Sequence, residues 1–457
     1  MDVRSLEHSR GQLDYFDQAA LELLRTTGRG QLMQVFWIYE HPVDVQELRR
    51  FYRVFGSGLL GRLIERSPLP FGRPRWVSRP GPQADIISTD NPRPRAELMD
   101  WADELAMRPI DPEHGPGWIL GILPMSDGST AVSIVFSHCL VDGGGAIVTV
   151  WDVTRGHPQH FGYAEPRSRS YSRAVWEDLR SGLSEVPQVA RALVRVAFLA
   201  FKNRRGATRP SPSIVEEEIG GADPDQIVLV PSVVATLDID MWDARAKALG
   251  GNTYSLVAGF SARIAKHLGR VRRSDQRVTL VVAGNSREGA EDDRGLAMSF
   301  ANAEIDPEIV TSDLTEAREV IRTSRERVKS EADPLMAFLP LIPWFPRTVT
   351  KKLVGAMFSY EETLPVSCSN IGDLPGQLAN IDGTAAEIFF ARSVDQNVTM
   401  RDLQRSHGTL VVVSGRMNGK IWLAVEAYQL GAENSKARLR ALVEQTLAEF
   451  GLSAAID

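Results

Sequence analysis

The sequence has few cysteines, no large excess of charge and no long apolar run. Its only two cysteines, Cys139 and Cys368, cannot form a disulfide framework, so a reducing cytoplasm fits best. The net charge of −6 over 457 residues gives no global basis for binding nucleic acid. No run of about 18 apolar residues predicts a membrane-spanning helix, and the polar N-terminus lacks a signal-peptide core. These absences favour a cytoplasmic globular protein.

A length of 457 residues predicts two or three domains, or two large lobes. The middle of the chain differs from both ends, because a polar stretch, a basic amphipathic helix, a proline-rich segment and an acidic segment follow one another there. We therefore predict an N-terminal lobe over residues 1–175, a linker with the basic helix over 176–232, and a C-terminal lobe over 233–457.

Strand-like and helix-like segments alternate in both outer parts, which indicates an α/β fold. Residues 31–40 are rich in bulky and β-branched side chains and predict a buried strand. Asp44 then precedes apolar residues at helical spacing and can cap a helix. Near the C-terminus, the Asn418-Gly419 pair between two apolar runs predicts a β-hairpin.

The stretch "SIVFSHCLVDGGG", residues 133–145, carries the most specific chemical signal. Strand periodicity places His138 on one face with Ile134 and Phe136, at the end of a strand where a tight loop leads into a helix. An imidazole there can take a proton from an alcohol or amine at neutral pH, and Asp142 can fix the loop. A histidine that only satisfies a turn is the alternative.

This stretch resembles the HHxxxDG motif of the CoA-dependent acyltransferases, the superfamily of chloramphenicol acetyltransferase-like enzymes and peptide-synthetase condensation domains. Upstream, "RPIDPEHGPGW" is similar to the RPLDxxxPLW motif of the wax ester synthase/diacylglycerol acyltransferase family. Downstream, "LVVAGNSRE" and "VSCSNIGDLPG" resemble the VPVSxR and SNVPGP segments of that family. The pieces come in the family's order and span nearly the whole chain.

The resemblance implies two chloramphenicol acetyltransferase-like α/β sandwich lobes with an active-site channel between them. His138 would be the general base, Asp142 a structural residue paired with Arg287, and Gly143 a residue that lets the backbone turn closely. Ser369 and Asn370 would donate hydrogen bonds to the oxyanion or bind substrate. No metal or redox cofactor is implied, because an acyl-CoA or acyl carrier protein serves as co-substrate.

Three positions depart from the family pattern. Ser137 replaces the first histidine of the motif, Gly117 lies between Pro116 and Trp118 where the family has leucine, and Tyr254-Ser255 replaces an Asn-Asp pair. These changes favour a hydroxyl or amine of a natural product or glycolipid as acceptor over wax ester synthesis. A non-catalytic module that binds a carrier protein or acyl chain is the alternative from another class.

Other features predict less specific roles. Cys139 adjoins His138, but neighbours on a strand point to opposite faces, so a Cys/His dyad is not expected. His157 and His160 lack further ligands at metal spacing. The basic helix at residues 191–205 has an apolar stripe that packs on the lobes or contacts a membrane surface. Residues 338–358 are apolar but broken by prolines, which favours a lid or channel wall.

Overall fold

The computed structural model describes residues 11–89, 91–204, 223–289, 291–330, 338–344 and 363–457, with side chains up to residue 195 and residue 327 in two of the helices. Helices and strands alternate along both halves of the chain. The strands are β1 (Gly30–Tyr39), β2 (Arg62–Glu65), β3 (Arg75–Ser78), β4 (Ile87–Ser88), β5 (Trp118–Pro124), β6 (Thr130–Ser137), β7 (Ser232–Asp238), β8 (Val278–Asn285), β9 (Met298–Ile305), β10 (Val366–Asp373), β11 (Ile388–Gln396), β12 (Thr409–Met417), β13 (Lys420–Tyr428) and β14 (Ala455–Ile456). The α-helices are α1 (Tyr15–Thr27), α2 (Val45–Phe55), α3 (Leu98–Ala106), α4 (Gly143–Thr154), α5 (Tyr171–Arg204), α6 (Ile239–Ala248), α7 (Thr253–His267), α8 (Thr315–Ser330), α9 (Met400–Arg405) and α10 (Lys436–Glu449).

Two large sheets define two lobes, which confirms the predicted α/β class. The sheet of the first lobe has the strand order β11-β1-β6-β5-β4, and that of the second has the order β14-β7-β13-β12-β10-β8-β9. β2 and β3 form a separate two-stranded sheet. One core of buried apolar side chains joins the first sheet to the second, since it includes Val413 and Trp422 of the second sheet, and another core lies on the second sheet alone.

Local sequence signals explain several boundaries. The Asp44 carboxylate accepts hydrogen bonds from the backbone N–H groups of Gln46 and Glu47 at the start of α2, as the capping pattern predicts. At the β12–β13 hairpin, Asn418 and Gly419 both have positive φ, at 49° and 73°. Those angles are the ones a two-residue hairpin turn of the right twist requires.

The first lobe is completed by a strand from the far end of the chain. β11 lies antiparallel to β1, with Val35 opposite Ala391, so a segment of the predicted C-terminal lobe forms the edge of the first sheet. The predicted boundaries at 175 and 233 do not include this crossover. The pairing of β11 with β1 joins distant parts of the chain. The residue pattern within either strand does not indicate which strand it pairs with.

The long helix α5 lies where the linker is predicted and packs on the first lobe through polar contacts such as Ser67 to Asp178 at 2.6 Å. On its outer face, Trp176, Leu183 and Val194 are exposed by 63% or more. Membrane contact through this helix stays a prediction, and its most basic turn lies beyond the described side chains. Among the described helices, none is long and apolar enough to cross a bilayer.

Candidate active site

His138 lies in the turn between β6 and α4. Its backbone N–H donates to the carbonyl of Gln31 at 2.9 Å, which keeps it beside β1, while Leu140 N–H returns to the Ser137 carbonyl at 3.0 Å and closes the turn. The Ser137 hydroxyl accepts from the Cys139 N–H at 3.3 Å. The serine that replaces the family's first histidine therefore acts as a turn residue here.

His138 is only partly buried, whereas its two chain neighbours are almost completely buried. Ser137 and Cys139 are at most 4% exposed, whereas His138 is half-buried. The ring nitrogen Nδ1 is buried without a hydrogen-bond partner.

Burial lowers the pKa of His138 below its usual value. The Asp142 carboxylate, the residue's own backbone carbonyl and Asp395 act in the opposite direction, but burial is the largest cause. The imidazole is therefore neutral at neutral pH, which is the form that a general base requires.

The Asp142 carboxylate uses both oxygens for structural bonds. Oδ1 accepts from the Gly145 N–H at 2.6 Å and caps α4, so the helix begins at Gly143 and includes all three glycines. Oδ2 accepts from the Ala297 N–H at 2.7 Å and from Arg287 Nη2 at 3.0 Å. No hydrogen bond joins Asp142 to the His138 ring within the described chain.

The structure brings together the Asp142 and Arg287 side chains, which the resemblance pairs. Both are buried, with side-chain exposures of 3% and 4%. Arg287 also donates from Nη1 to the carbonyls of Asp292 and Arg294, at 2.8 and 3.1 Å. Because Arg287 lies in the loop between β8 and β9, this ion pair ties the second lobe to the turn that carries His138.

Two residues that the sequence interpretation missed hold the same loop. Asp17 on α1 is fully buried and accepts from the N–H groups of Gly295 and Leu296, at 3.0 and 2.6 Å. Burial raises its pKa to about 6. Arg62 donates to the Asp293 carbonyl at 2.5 Å. Asp17 lies four residues before the buried Leu21 and therefore on the same face of α1. An acidic residue on the apolar face of a helix is the sequence pattern that could have pointed to its buried role.

The steric need for glycine lies at Gly145 and not at Gly143. A Cβ at Gly143 would meet only the end of Met33, at 3.7 Å, and the residue has no positive φ. A Cβ at Gly145 would lie 2.6 Å from Val141 and 2.9 Å from Arg287 Nη2. The reason predicted for Gly143 is therefore wrong in this chain, and its bare backbone instead lines an apolar cavity.

The two predicted oxyanion donors lie on β10. The Ser369 carbonyl accepts from the Ser414 hydroxyl at 3.4 Å, and Asn370 Oδ1 accepts from the Gly372 N–H at 2.8 Å. Asn370 Nδ2 is buried and has no hydrogen-bond partner. A buried amide without a partner is costly, so Asn370 offers a donor for a ligand more clearly than Ser369 does. No hydrogen bond links either residue to His138 in the described structure.

The remaining candidates give no second reactive centre. Cys139 is 4% exposed, and burial raises the pKa of its thiol to about 12, so no thiolate forms at neutral pH. In the described ranges, no group of three or more histidine, cysteine, aspartate or glutamate side chains could hold a metal ion. Of the predicted lid, the structure describes residues 338–344, which include a 3-10 helix at Leu339–Trp344; the rest lies outside the described residues.

Comparison with known proteins gives the fold. No protein-family model matches the sequence, and none of the curated proteins compared with it is significantly similar in sequence. Among solved structures, the first condensation domain of the calcium-dependent antibiotic synthetase has a TM-score of 0.57 at 14% identity, with 98% of each chain covered. The wax ester synthase/diacylglycerol acyltransferase from Marinobacter aquaeolei VT8 has a TM-score of 0.55 at 14% identity, covering 96% of this chain and 98% of that one. The condensation domain of the Monacolin K polyketide synthase has a TM-score of 0.51 at 11% identity, with 96% of each chain covered.

The chain thus has the two-lobed condensation-domain and chloramphenicol acetyltransferase-like fold over nearly its whole length, as its motifs predict. Identities of 14% or less show the fold alone. Function has to be argued from the site.

Proposed function

We propose that the protein is an acyltransferase that moves an acyl group from a CoA or carrier-protein thioester to a hydroxyl or amine. His138 Nε2 takes the proton of the acceptor while its oxygen or nitrogen bonds to the thioester carbonyl carbon. When the tetrahedral intermediate collapses, the carbon–sulfur bond breaks and the imidazolium returns the proton to the leaving thiolate. The base is then neutral again.

One observation carries this proposal. His138 is a half-buried imidazole whose pKa burial lowers, and it stands in a turn that Asp142 and Arg287 hold between the two lobes. Asn370 adds an unpaired buried N–H donor on the second lobe, which suits an intermediate with a negative oxygen. The departures at Ser137 and Tyr254-Ser255 support a natural-product or glycolipid acceptor.

His138→Ala tests the mechanism. The ring makes no side-chain hydrogen bond in the described structure, so its removal leaves no partner unsatisfied and the fold should persist. We expect release of free thiol from acyl-CoA, measured with a panel of alcohols and amines, to fall by about 10² to 10⁴-fold, the usual contribution of a general base. Wild-type turnover in this variant would refute the role of His138.

His157→Ala is the matched control, because His157 is exposed and lies outside the site. It should leave turnover unchanged. If instead the wild-type protein bound thioesters but released no thiol with any acceptor, the non-catalytic alternative would replace the acyltransferase.

A further inference from the structure

The side of α5 that packs on the first lobe is small and polar. Asp178 accepts from the Ser67 hydroxyl at 2.6 Å. One to two turns further along the helix, Glu185 pairs with Arg73 at 2.9 Å. Gly182, which lies between the two acids in the sequence, is buried and has no side chain. This packing does not account for the large apolar side chains of the helix.

The large apolar side chains of α5 face solvent. Trp176, Leu183 and Val194 are 67%, 63% and 71% exposed, and Val186 and Leu193 are 45% and 47% exposed. With 3.6 residues per turn, these five residues lie within about 100° of one another around the helix and extend over about 27 Å of its length. An apolar stripe of this width normally faces a core, and one that is left open marks an interaction surface. These five residues are the outer face of α5.

Unpaired arginines border the outer face along one side. Arg180, Arg191 and Arg195 are exposed and lie about 40° to 100° around the helix from Trp176. Among the described side chains, no acid pairs with any of these three arginines. The acids of α5 have other partners, which are Arg173 for Glu177, Arg169 for Asp178 and Arg73 for Glu185. The outer face thus combines apolar area with uncompensated positive charge.

Two features disfavour a protein partner on the outer face. Pro187 lies in the middle of the helix, about 20° from Trp176 around its axis, and proline interrupts the hydrogen-bond ladder and bends a helix. A regular seam with a partner helix would be broken there. A second copy of this chain would bring the arginines of both copies together, and like charges repel. A bilayer surface with anionic headgroups accepts a bent helix and attracts its arginines.

We propose that the outer face of α5 docks the protein on the surface of a bilayer with anionic headgroups. Trp176 and Leu183 enter the boundary between headgroups and acyl chains, where tryptophan is favoured. The arginines reach the lipid phosphates beside them. Docking requires neither an acyl donor nor an acceptor, so it does not depend on the proposed function.

Co-sedimentation of the full-length protein with vesicles tests this surface. We expect binding to vesicles that contain phosphatidylglycerol, little binding to pure phosphatidylcholine, and a loss of binding as the salt concentration rises. Leu183→Glu should lower the partition coefficient roughly ten-fold or more, because it removes apolar area and adds a repelled charge. Arg180→Gln should lower it about five-fold. Equal binding to both kinds of vesicle, or no binding to either, would overturn the proposal.

Met241→Glu is the matched control, because Met241 is 49% exposed and lies on α6, outside the outer face. It should bind vesicles as the wild type does. Thermal denaturation should show the same melting temperature for all variants, since the replaced side chains are exposed. Leu193→Glu takes the place of Leu183→Glu if that variant is destabilised. Unchanged binding in the variants of the outer face, or an equal loss in Met241→Glu, would refute the assignment.

Sedimentation velocity without lipid tests the alternative occupant. We expect no dimer that depends on the outer face. A dimer that Leu183→Glu converts to a monomer would assign this face to a second copy of the chain and would overturn docking on a bilayer.

Discussion

At the scale of single residues, the site depends on one imidazole whose protonation is set by opposing neighbours. Burial lowers the pKa of His138, and the negative charge of Asp142 is the largest cause that raises it. Asp142 does this without a hydrogen bond to the ring, since its two oxygens serve Gly145, Ala297 and Arg287. The Asp142 carboxylate thus both holds the turn in place and raises the pKa of His138.

The pH dependence of kcat/KM should report this tuning. Activity requires neutral His138, so we expect an acidic limb with its midpoint below pH 6.5, and activity that is lost as pH falls through it. Asp142→Asn removes the charge that favours the imidazolium, so the limb should move to still lower pH. Asp395→Asn, the weakest of the named causes, should move it less. A midpoint above 6.5, or a shift to higher pH in Asp142→Asn, would contradict burial as the controlling influence.

At the scale of elements, α4 contains one glycine, Gly145, at which a side chain would clash, and another, Gly143, at which a side chain would fit. A methyl group at Gly145 would clash with Val141 and with Arg287, whereas at Gly143 it would make an ordinary contact with Met33. The motif letters alone, with three glycines in a row, do not separate these cases. The difference arises from the close packing around Gly145, where Val141 and Leu59 of the first lobe meet Arg287 of the second lobe.

Alanine substitutions at the two glycines should therefore have opposite effects on the free energy of unfolding. Gly145→Ala should cost about 1 to 3 kcal/mol, because overpacking exceeds the gain of up to about 1 kcal/mol in helix propensity. Gly143→Ala should be neutral or slightly stabilising. Chemical denaturation of both variants measures the difference. Equal effects would mean that the close packing around Gly145 is wrong.

Elements formed by neighbouring residues could be predicted from the sequence, and those formed across the chain could not. The β1 strand, the Asp44 cap and the Asn418-Gly419 turn follow from local patterns. The pairing of Val35 with Ala391 joins residues far apart in the chain, and no pattern in either strand specifies it. The apolar cavity likewise requires residues of β1, β6, β10, β11, α2 and α4 to meet. The contact of Arg287 with Asp142 could be predicted only from the resemblance to a known family.

At the scale of the whole molecule, the β8–β9 loop joins the lobes through buried charges. Asp142 meets Arg287, Asp17 accepts two backbone N–H groups of the loop, and Arg62 donates to one of its carbonyls. A buried ion pair adds little over a well-packed apolar contact, but removing one partner leaves a charge stranded in the interior. The loop is therefore sensitive to the loss of any one of these groups.

Arg287→Ala should lower the free energy of unfolding by roughly 3 to 5 kcal/mol, because it strands the Asp142 carboxylate. Arg322→Ala, which removes exposed ion pairs with Glu319 and Glu326 on α8, should leave stability nearly unchanged and is the control. Thermal and chemical denaturation compare the two. Equal stability of both variants would show that the lobes do not rely on the buried pair.

Because β11 from the C-terminal part of the chain completes the sheet of the first lobe, the protein cannot be cut into two independent fragments between the lobes. A fragment that ends after residue 204 would expose the outer edge of β1, a ready template for aggregation. A truncation before Ile388 would damage the first lobe as well as the second, although the residues lost are all C-terminal. Gene fusions and fragment complementation must therefore treat the two halves as one folding unit.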